Sequence, residues 1–266
     1  MGKYLAFFKI SLKKSLAYRL RLLVWFLWEI GPALIMLFFW LAVFANQDQV
    51  GNYNFYSLVI YYLVIIFARN LVLTHPDIAL QKEIYNGEIN IYLPRPADLI
   101  TIKFVYEIAY KFLKFLYLIP TLIICYLVFL SGRHFDYQFL WPNLTFFLFS
   151  CSLSFCLYFL IKFLIGILSF WLTEIEWLDS LEMLIFWFFG GLLLPLDLFP
   201  KSMQNIAGFL PFKYIFYLPA QGLLGRLNQQ QMLTSLLIQG FWLLLFFILV
   251  KKIYQRGLKI YSVFGG

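Results

Sequence analysis

Two ionisable side chains, Glu29 and Lys162, stand deep in apolar sequence, where a passing solute could meet charge inside a membrane. A charge near mid-membrane costs about 3 kcal/mol or more on insertion scales, so each is expected to face protein or a water-filled cavity. Glu29 lies eight residues past Arg21, about 12 Å along a helix, and precedes Gly31-Pro32, where a helix can kink. Lys162 lies nine residues before Trp171, about 13 Å from the end of its own apolar segment. The two depths match. Two readings stay open: a direct pair lining an inward-facing pathway, or Lys162 snorkelling to the headgroups with Glu29 protonated or wetted.

The second concentration of polar residues is EIYNGEINIYLPRPADLI, from Glu83 to Ile100, where Lys82, Glu83, Glu88, Arg95 and Asp98 gather in a chain with little charge. Pro76 stops the helix before it, because proline disfavours the α conformation in the preceding residue. Pro76 and Asp77 suit a new first turn, where a missing N–H costs nothing and a carboxylate meets the positive dipole end. Gly87 suits a left-handed helix end. The spacing predicts a short helix over 77–86 outside the membrane. An extended piece, Glu88 to Leu93, should come next, with Ile89, Ile91 and Leu93 on one face. Pro94 and Pro96 stiffen the exit.

Catalytic signatures are missing from the sequence. It has no GxxxxGK[ST] loop to hold a nucleotide, no GxSxG and no HExxH, and its only histidines are His75 and His134. His75 reads as a polar helix-end residue without a nucleophile nearby. Cys125, Cys151 and Cys156 fall in apolar segments without metal-ligand or CxxC spacing and read as small apolar residues. No cofactor or metal is expected on the chain.

The elements that position these residues are set by composition. With 63% hydrophobic and 13% charged residues, against about 25% charged in soluble domains, the 266 residues describe an all-α polytopic membrane protein. The basic excess flanks apolar spans and forms no patch with aromatic platforms, which excludes nucleic acid as a partner. Residues 1–21 carry Lys3, Lys9, Lys13, Lys14, Arg19 and Arg21 beside an apolar side, as a helix lying in the cytoplasmic membrane surface would. The next apolar segment is too long, and lacks the small-residue cleavage site, for a signal peptide.

Six transmembrane helices are expected at about 20 residues each, over 22–44, 55–74, 104–130, 144–171, 181–196 and 233–250, with a cytoplasmic tail at 251–266. The chain reads as one transmembrane domain over 1–266. The positive-inside rule places both termini and residues 77–100 in the cytoplasm. There Arg69, Lys82, Arg95, Lys103, Lys251, Lys252, Arg256 and Lys259 join the basic arm, against Arg133, Lys201, Lys213 and Arg226 outside. Residues 46–54, 132–142 and 200–230 would face outward. One segment runs against the rule: Thr173 to Ser180 has Glu174, Glu176 and Asp179 and no base. Its acids read as capping-box-like helix starts, Thr173 with Glu176 or Asp179 with Glu182. Residues 190–227, broken by Pro195, Pro200, Pro211 and Pro219, are too interrupted for a span and too apolar for a solvated loop. Two short helices entered at Pro200 and dipping into the outer leaflet satisfy both facts. An ordinary outer loop with buried aromatics is the plainer alternative.

Six spans, a basic amphipathic arm, NGEINIYLPRPADLI after the second span and a proline-broken outer hairpin together resemble the membrane permease subunit of a type-2 ABC exporter. GEINIYLPRP is similar to the "G, apolar, L, x, R-P" pattern of bacterial permeases in that family, departing from it at Pro94. The resemblance implies two six-span subunits, of the same or related chains, in a bacterial inner membrane, above two ATP-binding cassette subunits that carry the ATP and Mg²⁺. It implies that residues 77–86, with the extended piece after them, work as a coupling helix seated in the ATPase, with Lys82, Glu83, Tyr85, Asn86, Gly87, Glu88 and Arg95 at the contact. Lys3 to Arg19 would be the interface helix beside it. A channel or scaffold subunit, or an intramembrane transferase, would share the composition. The many phenylalanines and sparse intramembrane charge favour a lipophilic or amphipathic cargo, unless the phenylalanines simply face lipid.

Overall fold

A computed structural model of the chain describes residue 31 and residues 35–92, 98–111 and 140–264. Among these residues the structure is helical and contains no strand. In chain order the helices are α1 (Ile35–Phe44), α2 (Phe55–Val72), α3 (Pro76–Tyr85), α4 (99–111), α5 (Leu140–Ile167), α6 (Glu176–Phe189), α7 (Lys201–Phe209), α8 (Phe212–Ile215), α9 (Tyr217–Leu223) and α10 (Gln229–Phe264). Among the described residues, three stretches are long and apolar enough to cross a membrane: Phe55–Tyr85, Pro142–Phe170 and Gln229–Tyr261.

α2 starts where Asn54 accepts a hydrogen bond from Ser57 N at 2.8 Å while Ser57 Oγ accepts one from Asn54 N at 3.0 Å. This reciprocal cap satisfies two of the N–H groups that a helix start leaves without partners. At its other end Lys111 of α4 donates to the carbonyls of Asn70, at 2.7 Å, and Leu73. A cation at a helix C-terminus answers both the bare carbonyls and the dipole. α5 is the central column. α2, α3, α9 and α10 all pack on it, and Phe147, Leu157, Phe159 and Phe163 along it are fully buried or nearly so.

Two expectations are corrected. The extended piece proposed for Glu88 to Leu93 is a 3-10 turn over Glu88–Ile91, with Ile89 buried and Ile91 exposed. Pairing with other strands holds a strand extended, and no strand is at hand among the described residues. The helix expected over 181–196 starts earlier, at Glu176, and stops at Phe189 before Gly190-Gly191. At 14 residues it is about 21 Å long, shorter than a bilayer's hydrocarbon core of about 30 Å. Residues 251–264 of the expected tail continue the last helix. α10 runs unbroken from Gln229 to Phe264 over 36 residues, about 54 Å, and so extends well past a membrane's thickness.

The chain between α6 and α10, where the sequence led us to expect an outer hairpin, is broken into short helices, with α7 entered at Pro200 and α8 at Pro211. Side-chain hydrogen bonds hold it. Tyr61 and Tyr62 of α2 donate to the carbonyls of Gly191 and Leu193 at 2.6 and 2.8 Å. Gln239 of α10 donates to the Tyr214 carbonyl and to Ser154 Oγ, and accepts from Ser150 Oγ at 3.0 Å. Buried amides and hydroxyls without partners are costly, so this connected set fixes one arrangement of hairpin, α5 and α10. The first span is described only at residue 31 and over 35–44, and the third only to residue 111; the amphipathic arm over 1–21 lies outside the described residues.

Candidate docking helix and the ion cluster behind it

α3 forms where the sequence places it. Pro76 occupies its first turn with Asp77 beside it, and the helix ends at Tyr85 with Asn86 as the cap. Gly87 follows with φ 75°, the left-handed conformation that glycine takes at little steric cost, and its N–H returns to the Ile84 carbonyl at 3.2 Å.

The helix has two faces. Pro76, Asp77, Leu80 and Ile84 are buried against α5. The approach is close: a Cβ on Gly166 of α5 would sit 2.9 Å from Asp77 Cα and 2.9 Å from Leu80 Cδ1. Glycine at 166 therefore sets how near the short helix can come. Gly257 does the same for α10, where Phe170 occupies the space a Cβ would need and stacks edge-on with Tyr261 at 5.9 Å. The opposite face of α3 is bare. Ile78, Lys82, Tyr85 and Asn86 are exposed, as are Glu88 and Ile91 in the following turn; Tyr85 has 76% of its surface free. Spacings of four and seven residues put Ile78, Lys82 and Tyr85 on one stripe.

Glu83 belongs to neither face. It turns sideways to Lys103 of α4, forming an ion pair in which both side chains are largely buried, and it accepts a hydrogen bond from Tyr92 Oη at 3.3 Å. Lys103 also lies 5.1 Å from the Tyr92 ring centre. The contact set read from the sequence thus divides: Lys82, Tyr85, Asn86 and Glu88 point outward, Gly87 shapes the turn, and Glu83 fastens α3 to α4. Arg95 lies outside the described residues.

Behind α3 sits Lys162, 2% exposed. Its ammonium group meets three carboxylates from two other helices: Asp179, Glu182 Oε2 at 2.9 Å and Asp77 Oδ2 at 3.4 Å. Its nitrogen also lies 5.8 Å from the ring centre of Tyr158, one turn earlier on α5. Glu29, the partner that sequence depth suggests, lies outside the described residues. The acids that do surround Lys162 carry other readings in the sequence. Asp77 suits a dipole-compensating first turn, and Asp179 and Glu182 suit caps. α6 in fact starts without a side-chain cap, after Ile175. A usable signal is present: a run of acids without a base flanks the turn after the apolar segment that carries an embedded lysine.

At the far end of the bundle a second polar group closes the hairpin onto the α1–α2 connector. Tyr53 donates to Asp197 at 3.0 Å and accepts from the buried Gln221 amide at 2.7 Å, while the Arg226 guanidinium lies 3.9 Å from the Tyr53 ring centre. Burial holds the Tyr53 phenol well above its ordinary pKa, so it stays a neutral donor. Asn52, Asp197, Tyr217 and Arg226 border a cavity of about 370 Å³ there.

A search among curated proteins found no match. The family model described as "ABC-2 family transporter protein" matches residues 30–265. That span includes α3, the ion cluster and the hairpin. The chain therefore belongs to the ABC-2 family of transporter proteins and is the membrane-embedded permease component of an ABC transporter, a subunit that works with ATP-binding cassette partners.

Proposed function

We propose that the chain is the permease of an ATP-driven exporter in a bacterial inner membrane. It would have six spans, both termini in the cytoplasm, and a second permease chain, identical or related, as its partner. The outward stripe of α3 is the seat for the ATP-binding subunit. One observation carries this: a short helix held rigidly against the central column by Gly166 and Leu80 presents Ile78, Lys82 and Tyr85 to nothing in the described residues. A large exposed aromatic beside a branched aliphatic and a lysine, on a backed helix, is the composition of an interface anchor.

ATP and Mg²⁺ belong to the partner subunit. Closure of the ATPase dimer would push on α3, and the close α3–α5 contact would pass that push to the column. Such a switch works only as far as nucleotide binds the two states differently. A lipophilic or amphipathic cargo fits the apolar interior, and lipid is the surrounding partner.

The test is cross-linking in the assembled complex. Cysteines replacing Lys82 or Asn86, both exposed, should cross-link to the ATP-binding subunit, and one replacing the buried Leu80 should not. An intact complex in which no position along the outward stripe cross-links would overturn the reading.

A further inference from the structure

The cluster around Lys162 holds more acid than base. Fully ionised, Asp77, Asp179 and Glu182 against one ammonium group would leave two negative charges in excess. Asp77 is fully buried and Glu182 is 6% exposed. Asp77 has the Lys162 ammonium at 3.4 Å but no hydrogen bond at either oxygen, and Glu182 Oε1 has none. An ionised carboxylate without donors is among the most costly groups to bury, and removing one net charge from such a site recovers much of that cost.

The arrangement offers a specific remedy. Asp77 and Asp179 both contact the one Lys162 ammonium, Asp77 Oδ2 at 3.4 Å, which brings their carboxyl groups side by side between α3 and α6. Two carboxylates so placed repel; a carboxylic acid and a carboxylate share a strong charge-assisted hydrogen bond. Lys162 fills the space between the three acids. Among the described residues the titratable groups facing the pair are Lys162 and Tyr158 from α5, Glu182 from α6 and His75 at the start of α3.

We propose that Asp77 and Asp179 form a proton-binding site that joins the docking helix to α6. Asp179, 37% exposed, is its mouth, and the fully buried Asp77 is its interior. With the proton in place, the α3–α6 contact is an acid–carboxylate hydrogen bond braced by Lys162. When the proton leaves, two negative charges face each other across the same contact and α3 is loosened from α6. The further step, that the loosened helix passes force less well from the ATPase, rests on the docking role proposed above. The proton site itself does not.

The experiment therefore uses the purified permease in detergent, without its partner. Infrared difference spectra of wild type minus Asp77→Asn at neutral pH should show the C=O stretch of a protonated carboxyl group that shifts in D₂O. Wild type minus Asp179→Asn should show it too, which covers failure of the first variant to fold. Wild type minus Glu182→Gln should lack it. The melting temperature of the wild type should fall as pH is raised from about 5 to about 8, because a group that binds its proton more tightly when folded loses stabilising power as that proton is released. Asp77→Asn should flatten this slope. Absence of the carboxyl band in both aspartate variants overturns the proposal. So does a melting temperature that follows sodium against choline chloride and not pH, which would mark a bound cation. A pH slope unchanged by Asp77→Asn overturns it as well. Normal cross-linking of α3 to the ATPase alongside such a failure would leave the docking role standing.

Discussion

Removal of Lys162 would leave three carboxylates without their shared cation. Its ammonium is the one base among the described residues that meets Asp77, Asp179 and Glu182 together. Taking one partner from a buried ion cluster costs about 3–5 kcal/mol, because the charge left behind is uncompensated. Lys162→Met should therefore lower the melting temperature sharply and reduce the yield of folded protein in the membrane. Asp77→Asn, which keeps the shape and, with the shared proton gone, leaves the net charge of the pair unchanged, should be far milder. Equal losses for the two would show that packing, and not charge, governs the site. Tyr53 gives a second case. Tyr53→Phe strips Asp197 of a donor and leaves the buried Gln221 amide without its acceptor, a loss of about 1–3 kcal/mol, readable as a drop in stability by thermal unfolding.

At the scale of elements, the docking role proposed for α3 makes its contact with α5 the joint through which an event outside the membrane would reach the bundle. Gly166→Ala would place a Cβ at 2.9 Å from Asp77 Cα and from Leu80 Cδ1. Backbone cannot yield as a flexible side chain can, so α3 must move outward, with a penalty of about 1–3 kcal/mol for the overpacked contact. Transport should fall while ATP hydrolysis by the complex continues. Gly87→Pro should uncouple the same two activities by another route, since proline cannot take the φ of 75° found there. Tyr85→Ala should do the reverse and leave the permease stable while weakening capture of the ATP-binding subunit. Glu83→Lys would set two cations against each other at Lys103, so its defect should appear in stability first.

For the whole molecule, orientation in the membrane decides which end meets the ATPase. The α3 end and the hairpin end are chemically distinct: one carries the outward stripe and the ion cluster, the other the Tyr53–Asp197–Gln221 group. Cysteines at Asn52 and Gln229, exposed at the hairpin end, should react with an impermeant maleimide in intact cells. One at Asn86 should react only after lysis. Labelling of Asn86 in intact cells would invert the topology and remove the docking proposal with it.

Local chemistry is legible in the sequence wherever few residues decide it. Pro76, Gly87, Pro200 and Pro211 punctuate the chain through their own backbone limits, so residue type alone places the short helix and the broken hairpin. The apolar runs behind the three long stretches are equally plain, because a bilayer's thickness sets their length. Every feature that depends on a neighbour distant in sequence escapes such a reading. Glu88 to Leu93 alternates like a strand, yet a strand needs pairing, and Glu88–Ile91 closes into a 3-10 turn instead. Lys162 announces a buried charge, but its partners come from residues 77, 179 and 182, brought together by the packing of α3 and α6 on α5. Their acids also make good helix starts, and sequence spacing cannot separate a cap from a counter-ion. Tertiary packing separates them, because only it shows which carboxylates are buried beside a cation.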